Sequence, residues 1–273
     1  MKPITPLRNT FFRGIVLAGM IFSSQGLVFS EDEECFFSLP SPSEILSEAE
    51  KKGLTVKLSP KDVSILKLDL IKLAETNPEK ATFIMGRIFS IAGYGLKDLN
   101  NKVILQLAEK VLSTAKALNM PPIIQEEIDR FYRLMMGKTV WERQELLLSF
   151  TSARASLMFL LKDPQKVGDK DRDRLGRYGA ALECGLWYQS LDLAVQNIKD
   201  DQMEAFKVVY MDPDYLDYFK KMLQKVQVGE QKELFSKMTA VNEACLKAMA
   251  DGAIVKDEIE SLRTVLAEVM KND

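Results

Sequence analysis

The stretch RLGRYGAALECGLWYQSLDLAVQN, residues 174–197, decides the fold of this chain. An α-helix turns by about 100° per residue, and on that projection four polar residues of the stretch collect on one side. They are Arg174, Gln189, Asp192 and Gln196. We therefore expect this side of the helix to face solvent.

The opposite side of the same helix carries small residues, one tryptophan and one carboxylate. Its members are Gly176, Gly179, Glu183, Trp187, Ser190, Ala194 and Asn197. Small side chains let the backbone of another helix approach closely, as they do in membrane helix pairs. The pattern therefore predicts a central helix that has neighbours on most of its sides.

Glu183 lies on the side of this helix that is predicted to face away from water. A buried carboxylate must be paired, hydrogen-bonded or protonated. Two arginines occupy similarly apolar stretches, Arg87 in TFIMGRIFSIAG and Arg154 in SFTSARASLMFLL. Because arginine in such a place usually binds a carboxylate or a ligand anion, we expect Glu183 to meet Arg154 or Arg87 inside the protein.

The same side chains have two further interpretations. Together with Trp187 they are candidate ligand-binding residues, since perturbed charges also cluster at functional sites. Alternatively, their long stems lie along apolar surface and carry the charged ends out to solvent.

Helix-start signals recur along the rest of the chain. Capping boxes are found in SPSE at 41–44, SPKD at 59–62 and TVWE at 139–142, and proline follows a capping residue in NPEK at 77–80 and DPDY at 212–215. No segment alternates with the period of two that is typical of strands. We therefore predict an all-α, multi-helix bundle of about nine to eleven helices in one domain, residues 43–273. An irregular array of helical hairpins is the alternative.

The N-terminal residues have the pattern of a secretory signal peptide. Residues 1–13 carry Lys and Arg without any acid, residues 14–30 are mostly apolar, and Val28 and Ser30 suit the −3 and −1 positions of a cleavage site. We therefore expect cleavage after residue 30, an extended segment at 31–42, and a periplasmic or secreted protein with no stable membrane span. The alternative is an uncleaved N-terminal anchor, although its 17 residues, 14–30, are short for a spanning helix, which needs about 20.

The composition excludes several chemistries. The 273 residues include no histidine, so Ser-His-Asp and Cys-His catalysis within this chain are excluded and the commonest zinc ligand is missing. A net charge of −2 gives no indication of nucleic-acid binding, and we expect no cofactor. Of the three cysteines, Cys184 and Cys245 fall in helical patterns, where we expect buried free thiols. Any disulfide that involves Cys35 stays open.

The weak metal-site candidate is an acidic segment, VGDKDRDRLGRYG at 167–179. Its three aspartates stand at alternate positions: Asp169, Asp171 and Asp173. An EF-hand loop that begins at Asp169 would need glycine at its sixth position and glutamate at its twelfth. Arg174 and Ala180 occupy those positions, so the segment is better interpreted as the start of a helix, with acids near the positive end of the helix dipole.

One resemblance rests on GAALECGLWYQSLDLA, residues 179–194. Its small-x-Trp-x-x-small-Leu run, Gly185, Trp187, Ser190 and Leu191, resembles a core helix of exported all-helical bacterial proteins without an assigned activity. The resemblance implies an exported helical bundle and no catalytic residue.

These observations favour an exported, non-catalytic helical protein with a binding or structural role. We expect its partner to be a protein or a small molecule. The alternative function is a carboxylate-dependent hydrolase in the same compartment, because the geometry of paired carboxylates is not visible in a sequence.

Overall fold

A computed structural model describes residues 40, 42–95, 101–136, 172–226, 232–250 and 254–271. All of them belong to one compact unit of the chain. They contain eleven α-helices and no strand, which confirms the prediction of an all-α, multi-helix fold. The predicted leader, Cys35, the TVWE capping box, Arg154, Asp169 and Asp171 lie outside the described residues.

The helices are, in chain order, α1 Pro42–Lys51, α2 Pro60–Val63, α3 Leu70–Thr76, α4 Pro78–Gly95, α5 Asn101–Ala117, α6 Pro122–Met136, α7 Arg172–Asn197, α8 Met203–Tyr210, α9 Pro213–Val226, α10 Lys232–Ala250 and α11 Lys256–Val269. Two short 3₁₀ helices, Ser64–Lys67 and Asp200–Gln202, lead into α3 and α8.

Local hydrogen bonds begin several of these helices where the sequence predicts. Before α2, the backbone N–H and the hydroxyl of Ser59 both donate to the carboxylate of Asp62, at 2.7 and 2.6 Å. Before α4, the side-chain oxygen of Asn77 accepts from the backbone N–H of Lys80. The predicted starts at SPKD and NPEK are therefore confirmed, because the side chains of Asp62 and Asn77 each accept from a backbone N–H that the helix leaves free.

The core of the fold is the pair formed by α4 and α7, the most extensively packed helices in the described structure. Residues 81–95 of α4 and 178–191 of α7 are buried without interruption, which confirms that 174–197 contains a central helix. Three contacts follow the same order along both helices: Glu79 with Arg177, Arg87 with Gln189, and Ser90 with Ser190. The two helices therefore run parallel.

Two glycines bring the backbones of this pair into direct contact. A Cβ built on Gly86 would lie 2.0 Å from the carbonyl oxygen of Leu182, and one on Gly185 would lie 1.9 Å from the carbonyl oxygen of Phe83. Each glycine thus sits against a carbonyl of the other helix, where no side chain fits. Such close crossings also permit weak Cα–H···O contacts between the helices.

The predicted close approach is present, but one predicted residue does not take part. Gly176 is exposed, and a Cβ there would meet no atom within 4 Å in the described structure. Gly185, which the projection did not place on the small-residue side, makes the contact instead. The prediction for Gly176 was wrong because this residue lies on the second turn of α7, before the buried run begins at Tyr178.

The remaining helices pack around the central pair. Helices α1, α3 and α5 contact α4, while α9 and α11 contact α7. The hydroxyl of Tyr188 in α7 donates to the carbonyl of Met238 in α10 at 2.8 Å. The guanidinium of Arg263 in α11 donates twice to the carbonyl of Val195, near the end of α7. Hydrogen bonds to polar groups of α7 therefore also orient its neighbours.

Cys184 and Cys245 are buried free thiols, as the helical patterns predict. Burial raises the pKa of Cys245 to about 12 and raises the pKa of Cys184 well above its ordinary value. Both therefore act as small core residues.

Within the described ranges, none of the helices combines the length and the apolar composition that a membrane crossing requires.

The glycine contact gives a paired test. We expect Gly185→Ala to lower the free energy of unfolding by about 1–3 kcal/mol or more, because the new methyl group forces the two backbones apart. The control, Gly176→Ala in the same helix, should raise it by about 0.5–1 kcal/mol, since alanine is the better helix former and has open space there. Urea unfolding followed by circular dichroism measures both. Equal effects of the two substitutions would contradict the contact.

Candidate functional site

Glu183 is buried in the middle of α7, with a relative exposure of 2%. This confirms that it faces away from water. The hydroxyl of Tyr218, on α9, donates a hydrogen bond to Oε2 of Glu183. The carboxyl group is thus partly satisfied by a neutral donor, a phenol that the sequence analysis did not identify. The contact ties α9 to the central helix.

Arg87 is buried in the middle of α4, with a relative exposure of 7%. Its Nε donates to Oε1 of Gln189 at 2.9 Å, and its Nη1 donates to the carbonyl of Met270 at 3.1 Å. Met270 follows the last residue of α11, where a cation is favoured by the helix dipole. Burial lowers the pKa of Arg87 to about 10, so the guanidinium stays charged at neutral pH.

The hydrogen bonds described for Arg87 go to Gln189 and Met270, and the one described for Glu183 comes from Tyr218. The predicted pairing of Glu183 with Arg87 stays a prediction. Arg154, the other predicted partner of Glu183, lies outside the described residues. Its pairing with Glu183 stays a prediction.

Gln189 was predicted to face solvent, and this was wrong. Its relative exposure is 1%, and it holds the guanidinium of Arg87. Gln196 is exposed, whereas Arg174 and Asp192 are half-buried. The helical projection failed at Gln189 because α4 and the end of α11 cover that part of α7. An arginine inside an apolar stretch was the available signal that a buried acceptor existed, but not of which residue supplies it.

Two carboxylates lie close enough to Arg87 to act on its charge. The attraction of Asp192 and then of Asp62 raises the pKa of Arg87 against the larger effect of burial. Asp62 belongs to the capping box of α2 and is itself buried. Groups of α2, α7 and the end of α11 therefore act on the one guanidinium that α4 supplies.

Several neighbouring groups act on the carboxyl group of Asp192. Burial raises its pKa above the ordinary value. The hydrogen bond from Gln196, at 2.6 Å, acts in the opposite direction, and so do the charges of Arg87 and Lys61. Repulsion from Asp62 raises the pKa further. The ionised form of Asp192 is thus less stable in the folded chain than in water.

Trp187, the predicted aromatic candidate, is part of the core, with a relative exposure of 1%. Its ring lies 5.3 Å from that of Tyr215 in an edge-to-face contact, and 6.2 and 5.9 Å from those of Tyr210 and Phe219. Its indole N–H finds no acceptor among the residues that the structure describes. Trp187 therefore anchors α8 and α9 to the central helix through aromatic contacts.

Hydroxyl pairs form a further set of contacts that the sequence analysis missed. The Oγ atoms of Ser90 and Ser190 lie 2.8 Å apart, and the hydroxyls of Tyr94 and Tyr210 lie 3.0 Å apart. Burial raises the pKa of Tyr94 to about 12, so this phenol stays neutral. The first pair joins α4 to α7 and the second joins α4 to α8.

The described part of the acidic segment agrees with a helix start. Helix α7 begins at Arg172, and Asp173 lies exposed in its first turn. Across the described ranges, no group of three or more potential metal ligands is present. Asp169 and Asp171 are outside those ranges, so a helix start rather than a calcium loop stays a prediction for them.

Comparison with protein-family models, curated proteins and solved structures finds no match for this chain. Its function therefore has to be argued from its own buried groups. Chemically, these groups hold helices together by hydrogen bonds. A phenol binds the carboxylate of Glu183, an amide and a carbonyl bind the guanidinium of Arg87, and serine and tyrosine hydroxyls bind each other in pairs.

The Glu183–Tyr218 hydrogen bond predicts coupled losses of stability. We expect Tyr218→Phe to cost about 1–3 kcal/mol, because a buried acceptor loses its donor. When Glu183→Ala is already present, the same substitution should cost about 0.5–3 kcal/mol less. Thermal and urea unfolding of the two single variants and the double variant measure this coupling.

The same experiment, with Arg154→Ala in place of Tyr218→Phe, tests the predicted ion pair. Losses that add within about 0.5 kcal/mol would remove the pairing of Glu183 with Arg154.

Asp192 predicts a stability difference that depends on pH. Because the pKa of Asp192 is raised in the folded state, the folded chain binds this proton more tightly than the unfolded chain does. The protonated side chain therefore contributes to stability at low pH, and this contribution is lost as the pH rises through the raised pKa. We therefore expect Asp192→Asn to be more stable than the native chain at neutral pH. The advantage should vanish below the ordinary aspartate pKa of 3.8. Melting temperatures of both proteins across this range measure it, and a less stable variant at neutral pH would contradict it.

Proposed function

We propose that this chain is an exported helical protein that acts without catalysis, in a structural or partner-binding role. The observation that carries the proposal is the use of its buried charges. Arg87 and Glu183 are both more than nine-tenths buried, and each is bound by side chains of neighbouring helices. Burying a charge is energetically unfavourable, and the hydrogen bonds of these two buried charges position helices relative to each other.

The packing around these groups supports the view that the protein is rigid. The aromatic contacts of Trp187 join α7 to α8 and α9, and where α4 and α7 cross their backbones lie too close for a side chain to fit between them. Close packing of this kind transmits force and presents fixed surfaces. A rigid body with fixed surfaces suits a structural or binding role.

A carboxylate-dependent hydrolase is the second candidate, and one observation favours it. Asp62 and Asp192 act electrostatically on each other, and their surroundings differ, since Asp62 accepts two hydrogen bonds from Ser59 while burial raises the pKa of Asp192. Acid–base hydrolysis requires two neighbouring carboxyl groups in different surroundings. The burial of Asp62 and the neighbouring guanidinium weigh against substrate access there.

Export is proposed from the N-terminal sequence alone. The basic start, the apolar segment and the small residue at position 30 together form the pattern that signal peptidases cleave.

Expression of the full chain with a C-terminal tag in a Gram-negative host tests export. The tagged protein should be found in the periplasmic fraction, with Glu31 as its first residue by N-terminal sequencing. The matched control, Leu17→Arg, interrupts the apolar segment and should keep the uncleaved chain in the cytoplasm. An uncleaved native chain in the membrane fraction would instead establish the anchored alternative.

The purified mature chain then tests the absence of catalysis. On a panel of chromogenic glycosides and esters, we expect the native chain and Asp192→Asn to give the same background rate. Since Asp192→Asn is expected to be the more stable protein, turnover by the native chain that this substitution abolishes could not be attributed to unfolding. That result would overturn the non-catalytic role in favour of the hydrolase.

A further inference from the structure

We draw no further inference here: the strongest candidate, the buried indole N–H of Trp187 inside the cluster of Tyr210, Tyr215 and Phe219, belongs to the core site already described, and nothing in the described part of the chain shows a cavity beside it that would admit a ligand.

Discussion

The backbone contact between α4 and α7 at Gly86 and Gly185 is the constraint on which the rest of the structure depends. With both glycines in place, the helices cross at a distance that no pair of side chains would permit. Short polar side chains beyond the crossing can then reach each other, as the hydroxyls of Ser90 and Ser190 do. A wider crossing would separate these hydroxyls and break the hydrogen bond between them, whereas the hydroxyl of Ser190 would keep its bond to the carbonyl of Leu186.

The same crossing explains how the protein holds its buried charges. Arg87 lies one residue after Gly86, so its side chain leaves α4 beside α7 and meets Gln189. The amide of Gln189 and the carbonyl of Met270 both accept hydrogen bonds from the guanidinium. Burial remains unfavourable for the cation, as its lowered pKa indicates, but hydrogen bonds compensate a part of the cost. This arrangement fastens the end of α11 to the central pair.

The features that depend on local sequence could be predicted, and those that depend on distant contacts could not. The burial of Glu183 follows from helical periodicity, and the starts of α2 and α4 follow from capping residues a few positions away. Gln189 and Gly185 were misplaced or overlooked because their partners lie about 100 residues earlier in the chain, in α4. A projection of one helix identifies its polar residues, but it does not reveal which of them a second helix will cover. Tyr218 was missed for the same reason, since its hydroxyl reaches Glu183 from α9.

A disulfide between α4 and α7 tests the parallel crossing most directly. Ser90→Cys and Ser190→Cys would be combined in a full chain whose Cys35, Cys184 and Cys245 are replaced by alanine. Because the two serine oxygens lie 2.8 Å apart, mild oxidation of the folded protein should form the bond, measured as loss of free thiols that a reductant restores. The control pair, Ser90→Cys with Ser261→Cys on the exposed face of α11, should keep its thiols free. Equal thiol loss in both proteins, or none in either, would contradict the close parallel contact of these two helices.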